Sequence, residues 1–413
     1  MHNLLALLLD SAIFILAAWV VWRALGRSIP IAVIPIIIGL LLAATGSPLK
    51  AWGLPSVWGD QIGWLGVLLL AFTAGLETRQ FRYHGEEAAT PSRYRASPVR
   101  LASSAGVALL LPFAAGAVMA YAYFLGLDGW TAPHADRATG ALAIGLCIAV
   151  SALPVLIGIV RELGPLNRPL CQLALGIAVI DDAVLWIGLA LLLLFAVPGA
   201  EVAHGSWQQL LAVGLPCALI AVSVVAQRRE WQLPPGAVYV VLPLYLAAGA
   251  WSSSQLGLHE LLGAYFAGAI VPPAWVRRVP VETLGKFALM GLAPLFFGHS
   301  GLKIDGQVLG WASLQASVLL LVLAVAAKLA AVLIYPPVPG FNRRETLAVG
   351  ALLQCKGLME IVAATILRDK GLLSEHAFAA LVTLAVLSTL MTGPLFRVLV
   401  RKPVTEAHLL ERS

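Results

Sequence analysis

The chain has 413 residues, of which 60% are hydrophobic and 12% are charged, and its formal net charge at pH 7 is +6. Because a soluble globular domain carries about 25% charged residues, this composition excludes an ordinary soluble protein. Apolar stretches recur along the whole chain and predict an all-α polytopic membrane protein. We expect residues 1–413 to form a single transmembrane domain without a soluble regulatory domain.

Thirteen apolar stretches are candidates to cross a bilayer as helices, and the third and ninth of them are short. They lie near residues 3–24, 29–46, 62–77, 101–125, 139–160, 170–197, 207–226, 236–254, 258–272, 285–302, 311–335, 345–367 and 376–400. The first has no basic segment before it and no small-residue cleavage site after it, which indicates a retained span and not a signal peptide. The sequence therefore predicts about 13 transmembrane helices.

The basic residues are unevenly divided between the predicted loops. With the N-terminus outside, 20 of the 27 Lys and Arg residues fall in cytoplasmic segments and five in outer segments, while Lys328 and Lys356 remain inside spans. Cytoplasmic loops of membrane proteins carry this excess of Lys and Arg. We therefore interpret them as topological anchors of an inner (plasma) membrane protein with a cytoplasmic C-terminus, and we expect a lipid bilayer and no nucleic acid as partner.

Two adjacent carboxylates, Asp181 and Asp182, lie near the middle of the sixth predicted span. Ionisable groups at membrane depth are costly and by default indicate function. Adjacent side chains on a helix point about 100° apart, so one lysine cannot easily satisfy both. Two dry carboxylates repel each other, and at least one of them keeps a proton near neutral pH. A site that holds either a proton or a small cation is what cation–proton exchange requires.

Three further ionisable residues lie within spans: Lys328 in the eleventh, and Lys356 and Glu360 in the twelfth. Each could instead form an internal salt bridge that holds helices together. For Lys356 and Glu360 this alternative is as good as a functional role, since residues four apart share a face of a continuous helix.

Two spans contain helix-breaking residues at similar depth. Ser151 and Pro154 lie midway along the fifth span, where proline removes a backbone hydrogen bond, and Gly357 follows Lys356 in the twelfth. Irregular backbone at this depth is tolerated where it lines a cavity. Interrupted helices in corresponding places of two halves indicate a transporter binding site. An inverted repeat that pairs spans 4–6 with spans 11–13, with two broken helices that cross, would fit.

The other polar residues within or beside spans are less informative. Asp10 and Glu260 could face protein or an interface, and satisfied structural roles are the commoner case for His259 and His299. No spacing resembles a metal-binding set or a nucleophile with its base. No glycine loop of the phosphate-binding kind is present. We therefore expect no enzyme activity, no cofactor and no metal beyond a transported monovalent cation.

Five segments, in order along the chain, resemble signatures of the monovalent cation:proton antiporter superfamily, which includes the sodium/proton exchangers and the Kef/CHX-type potassium/proton exchangers. They are residues 65–77, which end in Gly-Leu-Glu, residues 151–156 with 161–163, residues 258–268, residues 294–297 with 301–305, and residues 356–360. Each motif alone is degenerate. Five in order, at the corresponding spans, are specific.

The resemblance implies an NhaA/NapA-like fold and a role for several residues. Asp182 matches the aspartate that carries the ion and the proton, and Asp181 matches the position before it. Lys328 matches the lysine that pairs with the first aspartate when no ion is bound, and Lys356 matches the basic position of the second broken helix. We expect Lys328, Lys356 and Glu360 to compensate charge at the site. The resemblance also implies a homodimer.

The implied architecture has two panels, and the core panel moves like an elevator. The dimer-forming panel would comprise roughly spans 1–3 and 8–10. The core panel would comprise roughly residues 101–197 and 311–400.

The sequence departs from the family pattern at two places. Ser151 replaces the more usual threonine, and the Lys356–Glu360 segment favours potassium whereas the aspartate pair favours sodium. The expected function is exchange of Na⁺ or K⁺ for protons. A sodium-coupled organic-anion symporter of the same fold, a passive K⁺ channel and a membrane-embedded sensor remain as alternatives.

Overall fold

A computed structural model describes residues 2–25, 31, 33–45, 53–84, 96–163, 168–196, 207–234, 236–256, 258–304 and 310–400. Every regular element within these ranges is a helix. Residues 401–413, which the topology prediction assigns to the cytoplasm, lie outside the described residues. The prediction of an all-α protein is confirmed.

The helices follow one another in a single series, and two of them continue through π-helical segments. They are α1 His2–Asp10, the π segment Ser11–Ala17, α2 Ala18–Ala24, α3 Val33–Ala44, α4 Val57–His84, α5 Pro98–Ala122, a 3-10 turn Phe124–Gly126, α6 Arg137–Ala149, α7 Leu153–Leu163, α8 Arg168–Ala196, α9 Trp207–Arg228, α10 Val238–Gln255, α11 Glu260–Ile270, α12 Pro273–Val276, α13 Val281–Phe287, the π segment Ala288–Leu292, α14 Ala293–Leu302, α15 Trp311–Ile334, α16 Arg343–Leu352, α17 Gly357–Asp369 and α18 Glu375–Leu399.

Eight of the described segments are long and apolar enough to cross a membrane, and three shorter apolar helices accompany them. Large apolar side chains such as Phe195 and Leu210 are exposed on the outside of the helices. The expectation of a short third span is wrong, because α4 begins at Val57, before the predicted start, and its apolar part Val57–Glu77 has 21 residues. Residues 78–84 continue the helix and include no proline or glycine that would end it.

The helices pack in two groups. We call α1–α4 with α9–α14 the panel bundle, and α5–α8 with α15–α18 the crossing bundle. Contacts within each group are extensive: α4 packs on α11 and α14, and α5 packs on α6 and α15. Contacts between the groups are few, and they involve mainly α8 against α4 and α11, and α18 against α3.

Glycines set the close packing of the panel bundle. A Cβ atom on Gly39 would collide with the backbone of α14, and one on Gly75 would collide with the backbone of α11. Gly249 of α10 and Gly263 of α11 face each other in the same way. Small residues let membrane helices approach closely enough for backbone contact, which supplies the packing energy that the hydrophobic effect cannot provide in lipid.

Candidate functional site

The first break in the crossing bundle separates α6 from α7. The α6 helix begins at a capping residue, Asp136, whose carboxylate accepts a hydrogen bond from Thr139 N at 3.1 Å. It ends at Ala149, and the backbone from Val150 is extended before α7 starts. Pro154 is the second residue of α7, in the first turn, where a missing N–H leaves no helical bond unmade. The break predicted in this span is confirmed, but it precedes the proline.

The second break separates α16 from α17 and crosses the first. Gly357 begins α17 with a φ of +59°, a left-handed conformation that glycine adopts without strain. A Cβ atom on Gly357 would lie 2.7 Å from Val155 Cγ2, so the two broken elements touch here. Ala152 N donates to Cys355 O at 2.7 Å, which joins the two extended segments directly.

Asp181 lies on α8 beside this crossing and is fully buried. Its Oδ2 atom accepts a hydrogen bond from Lys328 Nζ at 2.8 Å and lies 2.8 Å from Ser151 Oγ. Ser151 Oγ is also 2.8 Å from Leu353 O, so the single hydroxyl hydrogen has an acceptor on α8 and another on the second broken element. Asp181 Oδ1 has no hydrogen-bond partner.

Two lysine ammonium groups lie at the C-terminal end of α6. Lys328 Nζ donates to Ala149 O at 2.6 Å, and Lys356 Nζ donates to Ile148 O and, at 3.3 Å, to Val150 O. The last carbonyls of a helix have no donors within the helix and form the negative end of its dipole. The lysines therefore bind the carbonyls that the break leaves open.

Asp182 differs from its neighbour. It is fully buried, and neither carboxylate oxygen has a hydrogen-bond partner. The backbone N–H of Leu153, at the positive end of α7, attracts this carboxylate electrostatically, whereas the negative charges of Asp181 and Glu77 repel it. Three carboxylate oxygens without partners thus lie on two consecutive residues.

Glu360 lies in the first turn of α17 and is also buried without a hydrogen bond to either oxygen. The salt bridge considered for Lys356 and Glu360 does not form. The continuous helix that it requires is absent, because α17 begins at Gly357 and Lys356 lies at its capping position. Lys356 uses its ammonium group on α6 carbonyls instead.

A second cluster of ionisable side chains lies in the panel bundle. Asp10 is fully buried, with Oδ2 accepting from Ser56 N at 2.9 Å and Oδ1 at 3.1 Å from His299 Nε2. The other ring nitrogen, His299 Nδ1, is 2.7 Å from Asp60 Oδ1, and Lys303 Nζ is 3.5 Å from the same oxygen. His299 therefore contacts two carboxylates, but Nε2 and Asp10 Oδ1 lack hydrogen-bond geometry, so a satisfied structural role for His299 stays a prediction. Asp60 was not anticipated.

Sequence reasoning also missed the α6 carbonyls that hold the lysines and the effect of Glu77 on Asp182. The Gly-Leu-Glu motif was the one available signal for Glu77, whereas a backbone carbonyl leaves no trace in a residue pattern. Among the residues that the structure describes, no group of three or more His, Cys, Asp or Glu side chains could hold a metal ion.

The chain was compared with known proteins. The family model described as "Sodium/hydrogen exchanger, transmembrane" matches residues 11–402. Cation/H(+) antiporter 17 of Arabidopsis thaliana is 28% identical over 372 residues, which cover 86% of this chain and 43% of that protein. Na(+)/H(+) antiporter NhaS4 of Synechocystis is 26% identical over 309 residues, which cover 71% of this chain and 72% of that protein. K(+)/H(+) antiporter 1 of Saccharomyces cerevisiae is 26% identical over 307 residues, which cover 70% of this chain and 34% of that protein.

The fold has a solved counterpart in the sodium proton antiporter MjNhaP1 from Methanocaldococcus jannaschii. The TM-score is 0.60 and the identity 15%, with 98% of this chain and 100% of the other covered. Several relatives are much longer, and the chain spans less than half the length of the Arabidopsis antiporter 17. Because the family model matches nearly the whole chain, the resemblance seen in the five motifs is confirmed: this chain belongs to the transmembrane sodium/hydrogen exchanger family.

Proposed function

We propose that the chain is a monovalent cation:proton antiporter that exchanges Na⁺ or K⁺ for protons. The observation that carries this proposal is Asp182, a fully buried carboxylate with no hydrogen-bond partner for either oxygen. A carboxylate in a dry site is stabilised by a proton or by a cation, and each excludes the other. The Na⁺/H⁺ and K⁺/H⁺ antiporter names among the relatives support the same function.

Competition at Asp182 is the centre of the proposed mechanism. Lys328 neutralises Asp181 through the 2.8 Å ion pair, so the two aspartates do not both present an uncompensated charge. Asp181 Oδ1 and the two oxygens of Asp182 remain open to a small cation. An outer proton and an inner cation then occupy Asp182 in turn.

The proposed movement is an elevator-type displacement of the crossing bundle against the panel bundle. The few contacts between the two groups support it, as do the extensive contacts within each. The α6–α7 and α16–α17 elements would be counterparts in an inverted repeat, since each is interrupted where it meets the other. The panel bundle would form the homodimer.

We further propose that the chain lies in the inner membrane with its N-terminus outside and its C-terminus in the cytoplasm. The excess of basic residues in alternate loops supports this orientation. A carrier of inorganic cations needs no catalytic group or cofactor of its own.

The test is proton flux in proteoliposomes that contain a trapped pH-sensitive dye, started by addition of Na⁺, K⁺ or Li⁺. Asp182→Asn should abolish cation-driven proton flux, because an amide carries neither cargo. Its thermal stability in detergent should not fall, since the substitution removes a buried carboxylate that has no partner.

The matched control is Asp136→Asn, at an exposed position where asparagine caps a helix as well as aspartate does. It should leave the flux unchanged. Exchange that persists in Asp182→Asn would refute the proposal. Cation flux without proton flux in the wild type would favour the channel, and flux that requires an organic anion would favour the symporter.

A further inference from the structure

Glu360 is an ionisable group that has no role in the proposed competition between a proton and a cation at Asp182. Its side chain is 1% exposed, and both carboxylate oxygens lack hydrogen-bond partners among the described residues. It lies four residues after Lys356, at the N-terminal end of α17, which has 13 residues. An ionised carboxylate held dry without a donor is costly, so this group must gain a proton or be offset by a nearby charge.

Lys356 is the cation next to Glu360, but its ammonium group is bound elsewhere. It donates to the carbonyls of Ile148 and Val150 at the end of α6. It therefore acts as a fixed positive charge at the crossing and leaves the Glu360 carboxylate unbonded. The thiols of Cys147 and Cys355 lie within electrostatic range of Glu360, and Cys355 also interacts with Asp182.

The charges of the crossing can be counted from these contacts. Asp181 and Lys328 form an ion pair and cancel. The positive ends of α7 and α17 and the negative ends of α6 and α16 meet at the crossing and offset one another. Within the crossing bundle, what remains is the fixed charge of Lys356 and two open carboxylates, Asp182 and Glu360. Glu77, which also acts on Asp182, belongs to α4 and stays with the panel bundle in the proposed movement.

This arrangement is neutral in two forms only. In one form a single proton is held by either Asp182 or Glu360. In the other form both are ionised and one monovalent cation is bound. The empty form has one negative charge in excess, and the doubly protonated form has one positive charge in excess.

We propose that Glu360 sets the charge of the crossing bundle, so that the bundle is neutral only when it carries one proton or one monovalent cation. Asp182 and Glu360 act as a coupled pair that shares one exchangeable proton, and cation binding expels that proton. This inference rests on the proposed antiport and deepens it.

The consequence is enforced coupling. Net charge in the interior of a membrane protein is costly, so the bundle crosses in its two neutral, loaded forms and not when empty. Exchange is therefore one cation for one proton, with no net movement of charge. Without Glu360, the form with ionised Asp182 and no cargo is neutral, and each loaded form has one positive charge in excess. Only the empty bundle then crosses, and exchange is lost.

The experiment measures proton flux with a trapped dye and net charge movement as current on a solid-supported membrane, for the same proteoliposomes. The wild type should show cation-driven proton flux without net current. Glu360→Gln should lose cation-driven proton flux and show no net current, because each of its loaded forms has one positive charge in excess. Glu360→Asp keeps the charge and should behave like the wild type.

The decisive control is the double variant Lys356→Gln/Glu360→Gln. It removes one charge of each sign, so the crossing is again neutral when Asp182 holds one cargo ion, and the glutamine at 356 keeps an N–H donor for the α6 carbonyls. Cation-driven proton flux without net current should therefore return.

Each outcome separates this inference from the antiport itself. Net current accompanying exchange in the wild type, or a Glu360→Gln variant that exchanges as fast as the wild type, would overturn the role of Glu360 and leave antiport standing. A double variant as inactive as Glu360→Gln, with both as thermally stable as the wild type, would also overturn it. If Glu360→Gln does not fold, the presence or absence of net current during exchange by the wild type tests the role of Glu360. No proton flux with any cation in the wild type would refute antiport first.

Discussion

The two bundles each contain a cluster of buried ionisable side chains, and the clusters are completed to different degrees. In the panel bundle, Asp10 Oδ2 accepts a hydrogen bond from Ser56 N, His299 Nε2 lies 3.1 Å from Asp10 Oδ1, and His299 Nδ1 lies 2.7 Å from Asp60 Oδ1. The contact between Nε2 and Oδ1 lacks hydrogen-bond geometry. The imidazole lies between two carboxylates and ties α1, α4 and α14 together, and one oxygen of Asp10 is left without a hydrogen bond.

The cluster of the crossing bundle is left incomplete. Its lysines are bound, and Asp181 Oδ2 is paired, but Asp182 and Glu360 retain four oxygens without partners. A buried polar group without a partner costs free energy that packing elsewhere must offset. Burial of a charged side chain therefore does not by itself indicate a role in transport in this protein. The number of carboxylate oxygens without hydrogen-bond partners distinguishes the two clusters.

The largest effect is expected from Lys328→Met in the crossing bundle. It leaves Asp181 and the Ala149 carbonyl without their donor, and loss of one partner of a buried pair costs about 3–5 kcal/mol. Exchange should be lost as well. The free energy of unfolding in detergent and the dye assay measure the two effects.

Lys303→Met is the control in the panel bundle, since Lys303 and Asp60 are both nearly half exposed at 44% and 43%. An exposed pair contributes at most about 1 kcal/mol. Equal loss of stability in both lysine variants would mean that the buried ion pair at the crossing contributes no more to stability than the exposed pair.

A smaller effect is expected from His299→Gln. Glutamine reaches one carboxylate at most, so either the hydrogen bond to Asp60 or the contact with Asp10 is lost, at a cost of about 1–3 kcal/mol. Exchange per folded molecule should be kept, because this cluster holds helices and no cargo. Thermal unfolding and the flux assay on the same preparation test this, and loss of flux in a fully stable variant would contradict the structural role.

Gly357→Ala should lower the free energy of unfolding by a comparable or smaller amount than His299→Gln. A side chain at a φ of +59° is strained by about 1–3 kcal/mol, and the new Cβ atom would press on Val155. We expect reduced transport, because the contact lies where the broken elements cross.

Gly106→Ala on α5 is the matched glycine control. No atom lies within 4 Å of its added Cβ, and alanine in a helix is favoured by about 0.5–1 kcal/mol over glycine. If both variants lowered stability alike, the strained conformation of Gly357 would not be the cause.

The smallest effect is expected from Ser151→Ala, which removes one hydroxyl from a carboxylate that keeps Lys328. The loss should be about 0.5–1.5 kcal/mol, with slower exchange. Ser151→Thr keeps the hydroxyl and should restore both quantities, as measured by initial flux rates. A threonine variant as impaired as alanine would indicate that space, and not the hydrogen bond, matters at this position.

Sequence reasoning succeeded where a residue type carries its own meaning. Charged residues amid apolar ones located Asp181, Asp182 and Lys328 at depth, and the structure buries all three. Glycine and proline located the two breaks. It failed where the outcome depends on a partner. Lys356 and Glu360 looked like an ion pair at helical spacing, but Lys356 bonds to backbone carbonyls more than two hundred positions away in the sequence.

The amino-acid sequence by itself determined that this protein is helical, membrane-embedded and a member of the exchanger family, because composition, apolar run lengths and motif order are properties of the chain alone. The tertiary structure decided which buried charges are satisfied. The break after α6 exposes carbonyls that attract the lysines. Both oxygens of Asp182 and of Glu360 are left without hydrogen bonds, whereas Asp10 has one such oxygen. Hydrogen-bond saturation depends on the relative placement of distant segments, and no local pattern of residues encodes it.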